Sequence, residues 1–350
     1  MIRSYKFIET DHQKLHNNII AFFDRIEFET GEFSTSFFET DFYNDIVAHH
    51  SKVLKQSLKE LFEYLRDSFS QEQRTDFINK VRLSCDIQRI CNREDSPFLI
   101  DDIDENIREI VKKLAIDLYT QVLNGKHAKA IYGSLQEHFE AFKEYNPIFK
   151  CPTCGLSPAK SSAEKRDDYD HYLPKTLFPF SVINFKNLVP ICTDCNKKDA
   201  KGDKDILAIN GDRKLFYPYD ESHKGISVSC EVVNDTLEAD ENNLEFSFSY
   251  STEDNRGEEI ESWKTIYKIE DRYKRRAKGK GRNWYQNYWE YMNDPTYKDI
   301  DTNLKRQAYF RRESKDIDSE FIKLPVIEAI EETTFLRASI EVNQYSMSFN

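Results

Sequence analysis

The chain has 350 residues and a net charge of −12, which gives room for two or three domains but leaves it too acidic to coat nucleic acid over its whole surface. Hydrophobic residues make up 39% and charged residues 32%, and no apolar run approaches the roughly 18 residues that a membrane span needs. Met1 to Lys6 offers no apolar stretch of the kind a secretory signal carries, and seven cysteines suit a reducing compartment, so a cytoplasmic location is expected.

Residues 1 to about 148 read as helical. Ile46, Val47, Val53, Leu54, Leu58, Leu61, Phe62 and Leu65 recur at helical spacing, as do Ile107, Ile110, Val111, Leu114 and Leu118. Asp102 or Asp104 suits the N-cap of the second run, and Asn124-Gly125 suits its stop. A third amphipathic stretch carries Leu135, Phe139 and Phe142 before Tyr145-Asn146-Pro147 breaks it. These helices are expected to form an independent bundle without a catalytic motif. Their histidines (His12, His16, His49, His50, His127 and His138) read as surface or satisfied core residues rather than metal ligands. Cys85, Cys91 and Cys230 read as core thiols.

The next stretch holds two CxxC knuckles, Cys151-Pro152-Thr153-Cys154 and Cys192-Thr193-Asp194-Cys195, separated by 37 residues. Four soft thiolates in a tetrahedron suit a structural zinc. Between the knuckles lie Asp170-His171-Tyr172-Leu173-Pro174-Lys175 and Asn187-Leu188-Val189-Pro190-Ile191, and Asn196 follows the second knuckle directly. The pattern predicts a strand ending at Asp170-His171, a loop and a second strand opened by Asn187. A helix then begins at the second knuckle and runs toward Lys201, stopped by Gly202.

Beyond it, Leu215 to Asp220 reads as extended, and Ile226–Val233 and Leu244–Tyr250 read as strands joined by an acidic turn. Helical patterning resumes from Trp263 to Met292, with Gly279-Lys280-Gly281 read as a turn, and no Walker motif is present. From Lys264 to Arg282 there are nine Lys/Arg against only Glu270 and Asp271. Trp263, Tyr267, Tyr273, Trp284 and Tyr285 lie in or beside this run. Cations interleaved with aromatic rings suit phosphate contact with base stacking, and Lys274, Arg275 and Arg276 are the candidate contacts. A solvated helix face would give the same composition. The last fifty residues show weak periodicity.

Residues 151 to about 205 resemble the HNH, or ββα-metal, endonuclease family: the Asp170-His171 pair, Asn187 before Leu188, and Cys192-Thr193-Asp194-Cys195-Asn196 at the helix start match the family pattern. The longer run from Asp170 to Asp203, followed by Tyr217-Pro218-Tyr219-Asp220, is similar to HNH nucleases of bacterial anti-phage defence systems of the Septu-like kind. The resemblance implies an α+β chain. Its parts are a helical regulatory or docking domain over 1–148, a zinc-stapled ββα-metal core over 149–220 and a C-terminal α/β extension over 221–350.

The resemblance also implies roles. His171 is the general base, Asp170 and Asn196 are oxygen ligands of a catalytic Mg²⁺ or Mn²⁺, Asn187 holds the loop, and Lys198 or Lys201 touches phosphate. Asn196 stands where the strict pattern has histidine, and this all-oxygen pair favours Mg²⁺ or Mn²⁺ over Zn²⁺. The implied activity is hydrolysis of phosphodiester bonds in DNA, in antiviral defence. A nuclease acting on RNA such as tRNA, and a four-cysteine module that binds without cutting, are the alternatives. DNA, an ATPase encoded nearby and a second copy of the chain are the expected partners.

Overall fold

The computed structural model describes residues 2–146, 150–157, 161–162, 165–166, 169–209, 211, 213–233, 244–315, 320–333 and 338. The fold is α+β, mostly helical with three short antiparallel strand pairs among the described residues. No described helix is long and apolar enough to cross a membrane. Two compact units form, one from residues 4–147 and 160–221, the other from residues 1–3, 148–159 and 222–350. Where three consecutive segments are expected, the chain thus interleaves its stretches.

The larger unit opens with the helix His12–Ile26, which buries Leu15, Ile19, Phe22, Phe23 and Ile26. From Tyr43 to Ser68 the chain stays helical but changes pitch. It passes through π-turns at Tyr43–Val47 and Ser51–Lys55, with a 3₁₀ turn between them, into the α-helix Gln56–Ser68. Ile46, Val47, Leu54, Leu58, Leu61, Phe62 and Leu65 are all fully buried along it. Asp104, not Asp102, caps the helix Glu105–Asp117, accepting from the Asn106 amide. A Ser134/Glu137 capping box starts the helix Leu135–Tyr145.

The hydrophobic core of these helices does not close on itself. Tyr169, Phe180, Val182, Ile183, Phe185 and Leu188 belong to the same buried cluster as the helical residues. Phe180 meets Phe23 and Phe77 edge-on at centroid distances of 5.6 and 5.9 Å and stacks on Phe98 at 5.7 Å. The expectation of an independent bundle is therefore corrected: the helices are the bed of the segment around Asp170-His171. A ribbon with strands of three residues has too little apolar area to stand without such a bed.

In the smaller unit, Ser227–Val232 pairs antiparallel with Phe246–Ser251, Cys230 lying opposite Phe248. The acidic turn expected between them lies outside the described residues. The basic, aromatic run forms the helices Gly257–Tyr267 and Ile269–Met292, joined through Lys268 in the left-handed region at φ 49°. Gly279-Lys280-Gly281 is not a turn but lies inside the second of these helices. A Cβ on Gly281 would come within 3.0 Å of Val326 and 3.2 Å of Phe246, so its hydrogen lets the helix lie close to both. The weakly patterned tail supplies the helices Thr302–Lys315 and Lys323–Glu332.

Cys91 and Cys230 are buried and Cys85 is half-buried, and burial pushes the Cys85 thiol up to about 12, which keeps it protonated. Among the histidines, His12, His16 and His138 are buried, while His49 and His127 stack with centroids 3.8 Å apart. His16 offers a direct test of this core. Burial first, then Lys186, pushes it from 6.5 down to about 4. Unfolded, it takes up a proton below about pH 6.5; folded, it stays neutral until about pH 4, so stability falls as pH drops through that window. His16→Leu should remove about 2–3 kcal/mol of the stability lost between pH 7 and pH 4.5, measured from urea unfolding at the two pH values.

Candidate functional site

The strand Tyr169–His171 pairs antiparallel with Leu188–Pro190, placing His171 opposite Leu188 and Asp170 opposite Val189. In a two-stranded ribbon the outer carbonyls need other partners. The phenols of Tyr217, Tyr219 and Tyr5 donate to the carbonyls of Lys186, Leu188 and Pro190 at 3.3, 2.5 and 2.6 Å. The carbonyls of Leu188 and Pro190 leave the strand on the same side, and that of Lys186 belongs to the 3₁₀ turn Phe185–Asn187 just before it. Leu215–Asp220, expected as an extended segment, is thus a buried row of phenols against the ribbon's edge.

The loop between the strands is pinned at both ends of its span. Asn187 is fully buried; its amide oxygen accepts from the Leu173 amide at 2.7 Å, and its amide nitrogen donates to the Leu173 carbonyl at 2.9 Å. Phe180, seated in the helical core, fixes the neighbouring Val182, whose carbonyl lies 2.9 Å from His171 Nε2. A carbonyl can only accept, so Nε2 carries the proton and Nδ1 is the acceptor nitrogen. Burial first, then the Lys175 cation, pushes His171 down to about 3. The Tyr119 ring meets the imidazole edge-on at 4.6 Å.

The second knuckle runs into a helix of four residues, Thr193–Asn196, shorter than the helix expected to reach Lys201. The chain leaves the helix at Lys197, which is extended, and a tight turn follows: Gly202 adopts φ 52°, and a Cβ there would meet the Lys198 backbone at 2.8 Å. That turn sends the Lys201 side chain inward. Lys201 is 1% exposed, with Nζ 2.7 Å from Asp170 Oδ1, 2.8 Å from the His171 carbonyl and 3.3 Å from the Gly202 carbonyl. The expected phosphate contact of Lys201 is therefore corrected to a buried ion pair, whereas Lys198 is exposed. Burial raises the Asp170 carboxyl and Lys201 opposes that shift.

Asp170, His171, Asn196 and Lys201 line one cavity of about 320 Å³, together with Tyr119, Lys175 and Asp203. Asn187 stands behind it as a loop clamp. Lys175 and Tyr119 complete the wall, with the Lys175 ammonium 5.1 Å from the Tyr119 ring centre. Lys175 closes the Asp170–Lys175 motif in the sequence, but no spacing rule assigns it a place; Tyr119 comes from a distant helical turn and carries no local signal. The cavity is predominantly polar in its named lining, which includes the side-chain oxygens of Asp170 and Asn196.

Cys151, Cys154, Cys192 and Cys195 are all buried, with their sulfur atoms within 4.8 Å of one another, close enough to hold a zinc ion. A tetrahedron with zinc–sulfur bonds of about 2.3 Å has edges of about 3.8 Å, which fits that spread. The backbone of the first knuckle is held from side chains: Trp263 Nε1 donates to the Thr153 carbonyl at 2.6 Å and the Tyr273 hydroxyl to the Cys154 carbonyl at 2.9 Å.

The same observation corrects the stacking role expected of the basic run. Trp263, Tyr267, Tyr273, Trp284 and Tyr285 are buried and offer no face to a base. Of the three cations singled out, Lys274 and Arg275 are exposed, while Arg276 is ion-paired with Glu320 at 3.0 Å.

Replacing Asn187 by alanine should leave the buried Leu173 amide and carbonyl unmatched. The expected loss is about 2–5 kcal/mol of stability, seen as a lower thermal unfolding temperature than that of a Lys198→Ala control at an exposed position.

Comparison of the chain with protein-family models, with curated proteins and with solved structures finds no match.

Proposed function

We propose that the chain is a metal-dependent endonuclease of the HNH kind that hydrolyses phosphodiester bonds in DNA and serves in bacterial anti-phage defence. The observation that carries the reading is the convergence of His171, Asp170 and Asn196 on one cavity, with His171 Nε2 tied to the Val182 carbonyl. A histidine held by one nitrogen and neutral at pH 7 is fitted to take a proton with the other. DNA as the substrate and defence as the setting rest on the sequence resemblance.

In this reading His171 Nδ1 accepts the proton of the attacking water as its oxygen bonds to phosphorus and the P–O ester bond breaks. A phosphodiester in the cavity brings negative charge beside the imidazole, which raises its basicity from the depressed value toward neutrality. Asp170 and Asn196 would hold a divalent ion. Their fit is supported by Asp170 Oδ2, which is buried without a hydrogen-bond partner, and by the hard oxygen chemistry of both side chains. Such an ion supplies charge neutralisation at the phosphate and the leaving oxygen. Lys175, on the cavity wall, balances phosphate charge in place of the buried Lys201. Lys198, Lys274 and Arg275 are exposed and are proposed as backbone contacts.

Purified protein should cut plasmid DNA with Mg²⁺ or Mn²⁺, and His171→Ala should lower the rate by about 10²–10⁴-fold while leaving DNA binding near its original strength. Full activity of that variant would remove His171 from the chemistry. The four-cysteine cluster is proposed to hold a structural zinc. Elemental analysis should find about one zinc per chain, and Cys192→Ser should lower both zinc content and thermal stability.

A further inference from the structure

The Lys201 ammonium has all three of its hydrogens directed at oxygen: the Asp170 carboxylate, the His171 carbonyl and the Gly202 carbonyl. One carboxylate and two carbonyls, converging on a cation, form the kind of donor set that hard divalent ions also use. The arrangement is built rather than incidental. The side chain is 1% exposed, its turn demands a glycine at 202, and the turn is tied back to the second knuckle through the Lys201 amide and the Cys195 carbonyl at 3.4 Å. Asp170 Oδ2, the other carboxylate oxygen, is buried and receives no hydrogen bond. The ion pair therefore satisfies only half of the carboxylate.

We infer that Lys201 is a resident cation at Asp170 which a divalent ion must displace, so that the Asp170–Lys201 pair is the latent state of the site. This inference rests on the reading of Asp170 as the ligand of a divalent ion. Electrostatics gives the reason: an ion bound to the Asp170 carboxylate would stand within about 4 Å of an ammonium that stayed, two positive charges in a water-poor wall. Binding and the Lys201 contact exclude each other. The apparent affinity for the ion is then reduced to the fraction of molecules in which Lys201 has swung out. Space for that movement exists in the cavity that Lys201, Asp203 and Asn196 line. In the latent state the carboxylate keeps a counter-charge, so the hairpin stays folded without the ion.

The test uses Mn²⁺ as the probe and reads binding rather than cleavage. Mn²⁺ affinity, followed by electron paramagnetic resonance, should rise at least about tenfold in Lys201→Met over the parent chain, and the gain should vanish in Lys201→Met with Asp170→Asn. Because Lys201→Met leaves a buried carboxylate without its partner and can unfold the site, the parent chain is also tested directly. Amine labelling of Lys201, read by mass spectrometry, should be slow without Mn²⁺ and at least about tenfold faster at saturation, with labelling of exposed Lys198 as the unchanged reference. Equal, Asp170-dependent Mn²⁺ affinity in both proteins, or Lys201 protection that survives saturation, overturns the displacement while leaving Asp170 as ligand. Mn²⁺ binding that is indifferent to Asp170→Asn overturns both.

Discussion

A carboxylate on a buried strand sets the terms for the larger unit. Asp170 is 3% exposed, and an unpaired charge at that depth would cost several kcal/mol. Lys201 meets this demand, but a lysine can reach inward at that point only if the chain turns sharply just beyond it. Gly202 supplies that turn, and the four-residue helix before it places the turn directly after the second knuckle. The ion pair, the turn and the knuckle are thus one arrangement, and moving any of them would leave a charge without a partner.

The ribbon that carries Asp170 and His171 is too small to hold its own shape, and aromatic side chains do much of that work. Phe180 reaches from the loop into a nest of three phenylalanines, Phe23 and Phe77 on helices and Phe98 on the connecting chain. Tyr5 and Tyr219 take the places that a third strand would fill, and Tyr217 holds the turn that leads into the strand. Phenols are suited to this because a rigid ring fills apolar volume while its hydroxyl satisfies a carbonyl. The outcome is a loop in which the Val182 carbonyl that holds His171 sits beside the packed Phe180 ring.

In the smaller unit the same residue types do a different job. Trp263 and Tyr273 point into the unit and hold the carbonyls of Thr153 and Cys154, so the aromatic content that resembles a stacking platform is scaffolding for a knuckle. Charge on the outside of the helix Ile269–Met292 divides in two: Lys274 and Arg275 face solvent, whereas Arg276 and Lys280 converge on Glu320. A count of cations along the sequence cannot separate the two groups.

Local pattern determined the helices at 56–68, 105–117 and 135–145, the paired strands around 171 and 188, and the pairing of cysteines into two knuckles. The helices and knuckles depend on residues three or four apart, where physical chemistry acts over one turn, and the strands on short runs bounded by turn residues. Tertiary structure alone decided what Lys201 does, because its exposure depends on a carboxylate 31 positions away in the chain. It also decided that the helices and the ribbon share one core, that Gly281 is a point of close approach instead of a turn, and that Tyr119 and Lys175 join the cavity wall. Burial is a property of the assembled fold, and a lysine, a glycine or a tyrosine reads the same in the sequence whether solvent or a buried charge awaits it.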